Sequence, residues 1–168
     1  MILEEDDLME IHAPMDFRSS ITYRDIQTSS KVPLVVCYSL IDMGKTKYGF
    51  NQVFTEKDAR MYFLRMKELS ESTIYDLMDS KLKDWHFHSV KVSGNVKEAL
   101  FKLHPNAAKG IYTIYQFALY TDSRGASRET GIRSPRIYFM LGKNGMVYPL
   151  FFDPYHELSP MQSLWKSY

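Results

Sequence analysis

The feature that most constrains the fold is a pair of apolar runs joined by Asn144-Gly145. The first run is RIYFML, residues 136–141, and the second is MVYPLFF, residues 146–152. Asn-Gly accepts the positive φ that both central positions of a tight hairpin turn require. Because the flanking residues are mainly β-branched or aromatic, they favour strands. The segment therefore predicts a β-hairpin, and with it an antiparallel sheet.

Three more strands are predicted before this hairpin. Residues 33–42 form a continuous apolar run that suits a strand buried on both faces, residues 84–92 alternate in polarity, and residues 110–120 are rich in β-branched and aromatic side chains. In the alternating run, His86 and His88 are expected to share one face of the strand.

Two helical segments lie between these strands. Thr55 and Asp58 have capping-box spacing at the start of residues 56–80, which predicts either two helices in a hairpin or one bent helix. Asn95 and Glu98 have the same spacing before a short helix that is expected to end at Leu103.

The order of these elements, mostly without long crossovers, predicts an α+β fold. We expect a largely antiparallel sheet with a helical hairpin packed on one face. A chain of 168 residues with 45% hydrophobic residues suits one domain, which we assign to residues 31–168. Residues 1–30 lack sustained periodicity and are interpreted as an acidic, partly ordered N-terminal arm.

Composition excludes several classes of protein. The single Cys37 excludes a disulfide framework and a cysteine-based zinc module. Gly44-Lys45-Thr46 resembles the end of a phosphate-binding loop, but Ser39 stands where that motif needs glycine. The start of the chain does not resemble a secretory signal, and the longest apolar run is about half of the roughly 20 residues a membrane span needs. These features predict a cytoplasmic protein without membrane association.

Charge is distributed unevenly along the chain. Residues 1–10 hold five acidic residues and no basic one, while residues 122–143 are rich in arginine. The arm is either a solvated acidic tail or a shield for a basic surface. The loop that precedes the hairpin, residues 121–135 (the basic loop), is either a solubilising loop or a nucleic-acid-binding segment. In the second case the binding residues are Arg124, Arg128, Arg133 and Lys143.

His86 and His88 are candidates for a metal or phosphate site. Two imidazoles on one strand face could share a ligand, and Asp153 and His156 could join them if the strands are neighbours. The alternative is a polar strand face that binds nothing, and we expect no metal and no cofactor.

The segment Asp153-Pro-Tyr-His-Glu157 is the second candidate site. His156 supplies a proton carrier near neutral pH, and Tyr155 supplies a ring on which a base could stack. The alternative is a turn that only ends the last strand, because Asp-Pro is ordinary turn chemistry.

The order of elements over residues 33–158 resembles the RelE/ParE-type toxin fold. Ribonucleases of that type often carry an arginine on a late strand and a histidine or tyrosine after the final strand, where this chain has Arg136, Tyr155 and His156. The resemblance implies a metal-independent endoribonuclease and a neutralising protein partner. Arg136 would hold the scissile phosphate, His156 would be the general acid or base, and the RNA 2′-hydroxyl would be the nucleophile. The alternative is a non-catalytic regulatory protein that binds a protein or nucleic acid through the basic loop.

Overall fold

The computed structural model describes residues 31–51, 54–78, 85–105, 113–120 and 126–159. These residues form a five-stranded sheet and three α-helices. In chain order the elements are β1 (Val35–Val36), α1 (Glu56–Ser70), α2 (Ile74–Met78), β2 (His88–Val90), α3 (Gly94–Leu103), β3 (Ile114–Ala118), β4 (Arg136–Leu141) and β5 (Met146–Asp153). None of the described helices is both long enough and apolar enough to cross a membrane.

The sheet has the strand order β1-β5-β4-β3-β2. The β2–β3, β3–β4 and β4–β5 pairs are antiparallel, and only the β1–β5 pair is parallel. The predicted α+β fold with a largely antiparallel sheet is therefore confirmed. So is the hairpin at its centre, where Asn144 and Gly145 have φ angles of 55° and 76° between β4 and β5. These positive angles are the geometry of the tight turn that Asn-Gly favours.

One sheet face is covered by the helical hairpin of α1 and α2. Thr55 caps α1: its hydroxyl accepts from the Asp58 amide and the Asp58 carboxylate accepts from the Thr55 amide, as the sequence predicts. Side chains of the two helices then pack against aromatic residues of the central strands. This core cluster includes Tyr62, Met66, Leu69, Ile74, Leu77, Phe117, Phe139 and Phe152.

Helix α3 covers part of the opposite face, burying Val96 and Leu100 with Ile114 and Met140. The helix lies where the sequence predicts it, but the predicted capping box is wrong. Ser93 is the N-cap residue and makes no side-chain capping hydrogen bond. The Asn95 side chain instead donates to the carbonyl of Glu157 at 3.2 Å, which ties the start of α3 to the turn after β5.

Two predicted strands are shorter than expected. Residues 33–42 contribute only β1, followed by a 3-10 turn at Tyr38–Leu40. The prediction of a strand buried on both faces is wrong, since β1 is an edge strand in which Val35 is 51% exposed. In residues 84–92 the strand begins only at His88. His86 precedes it with a φ of 50°, so the two histidines do not share one strand face.

The loop after the first strand is organised around Asp42, which is fully buried. Its carboxylate accepts from the amides of Gly44, Lys45 and Thr46 at 2.8, 2.7 and 3.0 Å. These amides already bind a carboxylate of the chain itself. This geometry differs from that of a phosphate-binding loop, whose amides are directed at the phosphate, and it agrees with the interpretation from Ser39.

Candidate functional site

A row of polar side chains lies on the sheet face against which α3 packs, near the end where β4 begins and β5 finishes. His88 on β2 pairs with Gln116 on β3, and Gln116 pairs with Tyr138 on β4. One step further along, Arg136 pairs with Asp153 at the end of β5. Because side chains two residues apart on a strand share a face, Arg136 lies on the same face as Tyr138. The turn after β5 carries His156 back to this end of the sheet.

Hydrogen bonds fix the orientation of His88. Its Nδ1 lies 2.8 Å from the carbonyl oxygen of His86, and its Nε2 lies 2.8 Å from the side-chain nitrogen of Gln116. Gln116 is only 2% exposed, whereas His88 is exposed. This contact therefore joins an exposed residue on the edge strand β2 to a buried residue on the neighbouring strand β3.

His156 is half-buried, and three nearby charged or titratable groups affect its pKa. Burial contributes most to lowering the pKa of His156, from its ordinary 6.5 to about 4, and Arg136, His88 and His86 lower it further. A hydrogen bond with the backbone of Ser159 acts in the opposite direction. The imidazole is therefore neutral at pH 7. Its Nε2 is buried and has no hydrogen-bond partner within the described part of the chain.

Arg136 is the buried, positively charged residue of this cluster. Its side chain is 8% exposed, and its Nη1 donates to the carbonyls of Ser134 and Pro135 at 3.2 Å each. These carbonyls immediately precede β4, so the chain that enters the strand also holds the guanidinium in place. The result is a fixed positive charge beside His156.

Asp153 has a structural role in the turn. It is 1% exposed, and its carboxylate accepts from the amides of Tyr155 at 3.2 Å and Leu158 at 2.6 Å. Burial raises the pKa of Asp153, while these backbone hydrogen bonds oppose the rise. The carboxylate is thus directed to the turn that places His156. Among the described residues, no group of three or more His, Cys, Asp or Glu side chains is arranged to hold a metal.

Left-handed backbone marks the same site. In the described ranges only His86, Asn144 and His156 are non-glycine residues with positive φ, and His156 has a φ of 59°. Asn144 belongs to the hairpin turn, whereas the other two flank one cluster. Such conformations cost roughly 1–3 kcal/mol and concentrate at functional sites.

Arg133 and Tyr155 belong to a second polar cluster that lies next to the first. Arg133 forms an ion pair with Asp58, and its guanidinium lies 5.5 Å from the centre of the Tyr155 ring. Asp58 is fully buried and also accepts from the hydroxyl of Tyr120 at 2.7 Å. Arg133 therefore anchors the basic loop to α1.

Two exposed cations lie at the rim of the site. Arg128 approaches the Glu157 carboxylate at 3.6 Å and the Tyr155 ring at 5.2 Å. Lys47, from the loop after the first strand, approaches the same carboxylate at 4.0 Å. Glu157 thus lies between two cations that both remain more than half exposed.

Of the remaining predicted residues, the structure describes only Lys143, which does not join the cluster. Lys143 lies in the β4–β5 turn, at the opposite end of β4 from Arg136. At about 3.4 Å per residue, that separation is roughly 20 Å. Arg124 and the acidic arm at residues 1–30 lie outside the described residues.

Two residues of the site were missed by the sequence reasoning. Gln116 carried a usable signal, because it is the polar residue in the strongly apolar strand IYQFA. A polar side chain in such a strand is either exposed at a sheet face or held by a specific partner, here His88. Lys47 carried no comparable signal, since it is one of two lysines in a polar loop.

Comparison with protein-family models, with curated proteins and with solved structures finds no match to this chain. The resemblance to RelE/ParE-type toxins stays a prediction.

Proposed function

We propose that the protein binds RNA and cleaves it without a metal, at the cluster around His156. The observation that carries this proposal is the neutral, half-buried imidazole of His156 beside the fixed charge of Arg136 and next to His88. A neutral imidazole is able to accept a proton at pH 7, and a nearby guanidinium favours a phosphate.

The reaction would follow from the chemistry of RNA. His156 takes the proton of a 2′-hydroxyl, whose oxygen then bonds to the adjacent phosphorus. The bond from phosphorus to the 5′-oxygen breaks, and that oxygen takes a proton from solvent or from an acidic side chain. The products are a 2′,3′-cyclic phosphate and a 5′-hydroxyl, and Arg136 offsets the negative charge that develops on the phosphate.

Arg128 and Lys47 would guide the strand to the cluster. Both are exposed cations at the rim, and both are directed to Glu157. A phosphate next to them would compete with the Glu157 carboxylate for the same charges. Tyr155 already contacts two guanidinium groups, so in this proposal it supports the arginines and is not the base-stacking ring.

The second candidate function is binding of nucleic acid without cleavage. It is favoured by the ion pair of Arg133 with buried Asp58, because this contact holds the basic loop as a preformed surface. A neutralising protein partner, expected from the toxin resemblance, would be one regulator of such a surface.

The test is RNA cleavage in EDTA by the wild type and by His156→Asn. Asparagine tolerates the left-handed backbone at this position, so the variant removes the imidazole with little strain. We expect the variant to lose about 100-fold or more in rate while it still binds RNA. Lys143→Gln, which removes a distant cation, is the control and should cleave as the wild type does.

Two outcomes separate the candidates. A 2′-O-methyl RNA of the same sequence should bind and remain intact, since it has no free 2′-hydroxyl. RNA binding with no cleavage by the wild type would favour the second candidate, and equal cleavage by His156→Asn would contradict the role of His156.

A further inference from the structure

We infer that residues 1–11, the acidic start of the N-terminal arm, dock on an exposed aromatic patch beside α1. The patch consists of Phe63 on α1 and Tyr38 in the turn after β1 (the Phe63 patch). It lies on the sheet face that α1 and α2 cover, whereas Tyr138 of the candidate site lies on the opposite face. The inference therefore does not rest on the proposed function.

Phe63 and Tyr38 lie on the same side of α1. The hydroxyl of the buried Tyr62 is close to that of Tyr38, which places Tyr38 beside the helix. Arg65 donates to the carbonyl of Leu119, next to β3, at 3.4 Å. At 3.6 residues per turn, Phe63 and Arg65 lie on opposite sides of Tyr62, so Phe63 lies on the β1 side of the helix. Phe63 is 70% exposed and Tyr38 is 46% exposed, which leaves two large rings in contact with solvent.

The rim of the Phe63 patch carries basic side chains. Arg60 and Lys67 lie one helical turn on either side of Phe63, and both are exposed. Lys67 also forms an exposed ion pair with Glu71 at 2.7 Å, and Glu56 lies a further turn beyond Arg60. The patch therefore combines an aromatic surface with adjacent cations, which suits a segment that is both apolar and acidic.

Residues 1–11 have that composition. They consist of five acidic residues and six apolar ones, among them Leu3, Leu8 and Ile11. A segment that serves only as a solvated tail would be poor in apolar residues. Burying apolar side chains against an exposed ring contributes more than an exposed ion pair does. We therefore expect the apolar residues to hold the segment on the patch, with the acidic residues next to the cations of its rim.

The arm joins the described structure close to the Phe63 patch. The amide of Leu34 donates to the carbonyl of Ser72 at 2.9 Å, so the chain enters beside the end of α1. Ser72 is nine residues from Phe63, which is roughly 14 Å along a helix axis. The basic loop precedes β4, whereas Pro33 lies beside Gly145, past the other end of that strand. The arm is thus attached nearer to the Phe63 patch than to the basic loop.

The described arginines of the basic loop already contact carboxylates of the domain. Arg133 pairs with Asp58, and Arg128 approaches Glu157. An arm that shielded this loop, the alternative that the sequence leaves open, would compete with both contacts. The Phe63 patch offers the arm apolar contacts that the basic loop does not need to give up.

The experiment measures paramagnetic broadening in the full chain. A nitroxide is attached through His12→Cys, next to the docking segment, in a Cys37→Ser background so that the chain carries one label. We expect broadening of the backbone amide signals of Tyr38 and Phe63, and none for residues 127–132 of the basic loop. The broadening should persist at about 0.5 M salt, because salt screens exposed ion pairs and does not weaken apolar contacts. Broadening of the basic loop in place of the patch, or of neither, would overturn the inference.

Variants on both sides of the contact sharpen the test. Phe63→Ser should lose most of the broadening at Tyr38. Leu64→Ser, the matched control, changes an exposed apolar residue on the solvent side of the same helix and should retain the broadening. Leu8→Ser combined with Ile11→Ser changes only the arm, so it tests the inference even where Phe63→Ser fails to fold. Broadening at Tyr38 that survives the arm variant would contradict the docking.

A mixed sample decides whether the arm docks on its own chain. Chains that carry the nitroxide but no isotope label are mixed with isotope-labelled chains that carry no nitroxide. We expect no broadening in this mixture, because attachment close to the patch gives the chain's own arm a high effective concentration there. Broadening at Phe63 in the mixture would make a second copy the occupant and would refute docking by the chain's own arm.

Discussion

Two polar clusters adjoin the turn after β5, and they differ in how their buried hydrogen-bond acceptors are satisfied. In the cluster around Asp58, the buried carboxylate accepts from Arg133, Tyr120 and the backbone amide of Thr55. In the cluster around His156, Gln116 Oε1 and His156 Nε2 are buried without a hydrogen-bond partner in the described part of the chain. The Asp58 cluster also has ordinary backbone, whereas the His156 cluster is flanked by left-handed histidines.

This difference indicates which of the two clusters stabilises the fold. A buried carboxylate that accepts from several donors is held in one conformation, while each buried polar group without a partner costs about 1–3 kcal/mol. Buried polar groups without a partner persist where a ligand supplies the missing hydrogen bond or where the surrounding fold holds the groups in place. We therefore propose that the Asp58 cluster stabilises the fold and that the His156 cluster is the one that binds a ligand. The predictions below test that division, beginning with the largest expected effect.

Asp58→Ala should destabilise the fold by about 3–5 kcal/mol, because it leaves Arg133 without its buried partner and removes the cap of α1. Urea unfolding measures this loss. Glu71→Ala, which removes an exposed carboxylate near the end of the same helix, is the control and should be close to the wild type. Adding Arg133→Met should recover part of the loss, since no charge is then left buried. Destabilisation by Asp58→Ala no greater than by Glu71→Ala would contradict the structural role.

His156→Asn should change how stability depends on pH. The pKa of His156 is about 4 in the folded protein against an ordinary 6.5, so the unfolded chain binds more protons between these values. Wild-type stability should therefore fall as pH is lowered from 6.5 to 4. The variant lacks this titration and should lose less stability across that range. His104, whose pKa is also lowered by burial, contributes to both proteins alike. Parallel curves of melting temperature against pH would show that His156 is not perturbed.

Glu157→Gln should tighten RNA binding by about two- to fivefold, the smallest of these effects. The change frees Arg128 and Lys47 from a competing carboxylate while it keeps the size of the side chain. The measurement is RNA affinity across a salt series, with the largest gain at low ionic strength. Glu129→Gln removes the same charge from an exposed position in the basic loop and serves as the control. An equal gain in both variants would mean that only net charge matters.

The sequence predicted the elements whose signals are local. The Asn144-Gly145 turn and the capping box of Thr55 and Asp58 follow from short-range chemistry, and both are confirmed. The edge position of β1 was not predictable from its apolar composition, because the neighbour of a strand is set by long-range pairing. For the same reason, the spacing of residues in the sequence did not predict that His88 on β2 pairs with Gln116 on β3.

The roles of the arginines show the same limit. Arg133 and Arg128 are five residues apart in one loop, and composition alone gave both the same expected role. In the fold one is bound to a buried carboxylate on α1 and the other remains at the surface. That division depends on Asp58, which lies 75 residues from Arg133 in the sequence.

The central claim is that the cluster around His156 receives a phosphate, and the titration of the His156 imidazole tests it most directly. The titration is followed by NMR in the free protein and in complex with 2′-O-methyl RNA. We expect a pKa well below 6.5 in the free protein, because burial and Arg136 disfavour the charged ring. The complex should show a clear rise, because a phosphate beside the ring favours its charged form. A His156 pKa that is unchanged when the RNA is fully bound would contradict the claim.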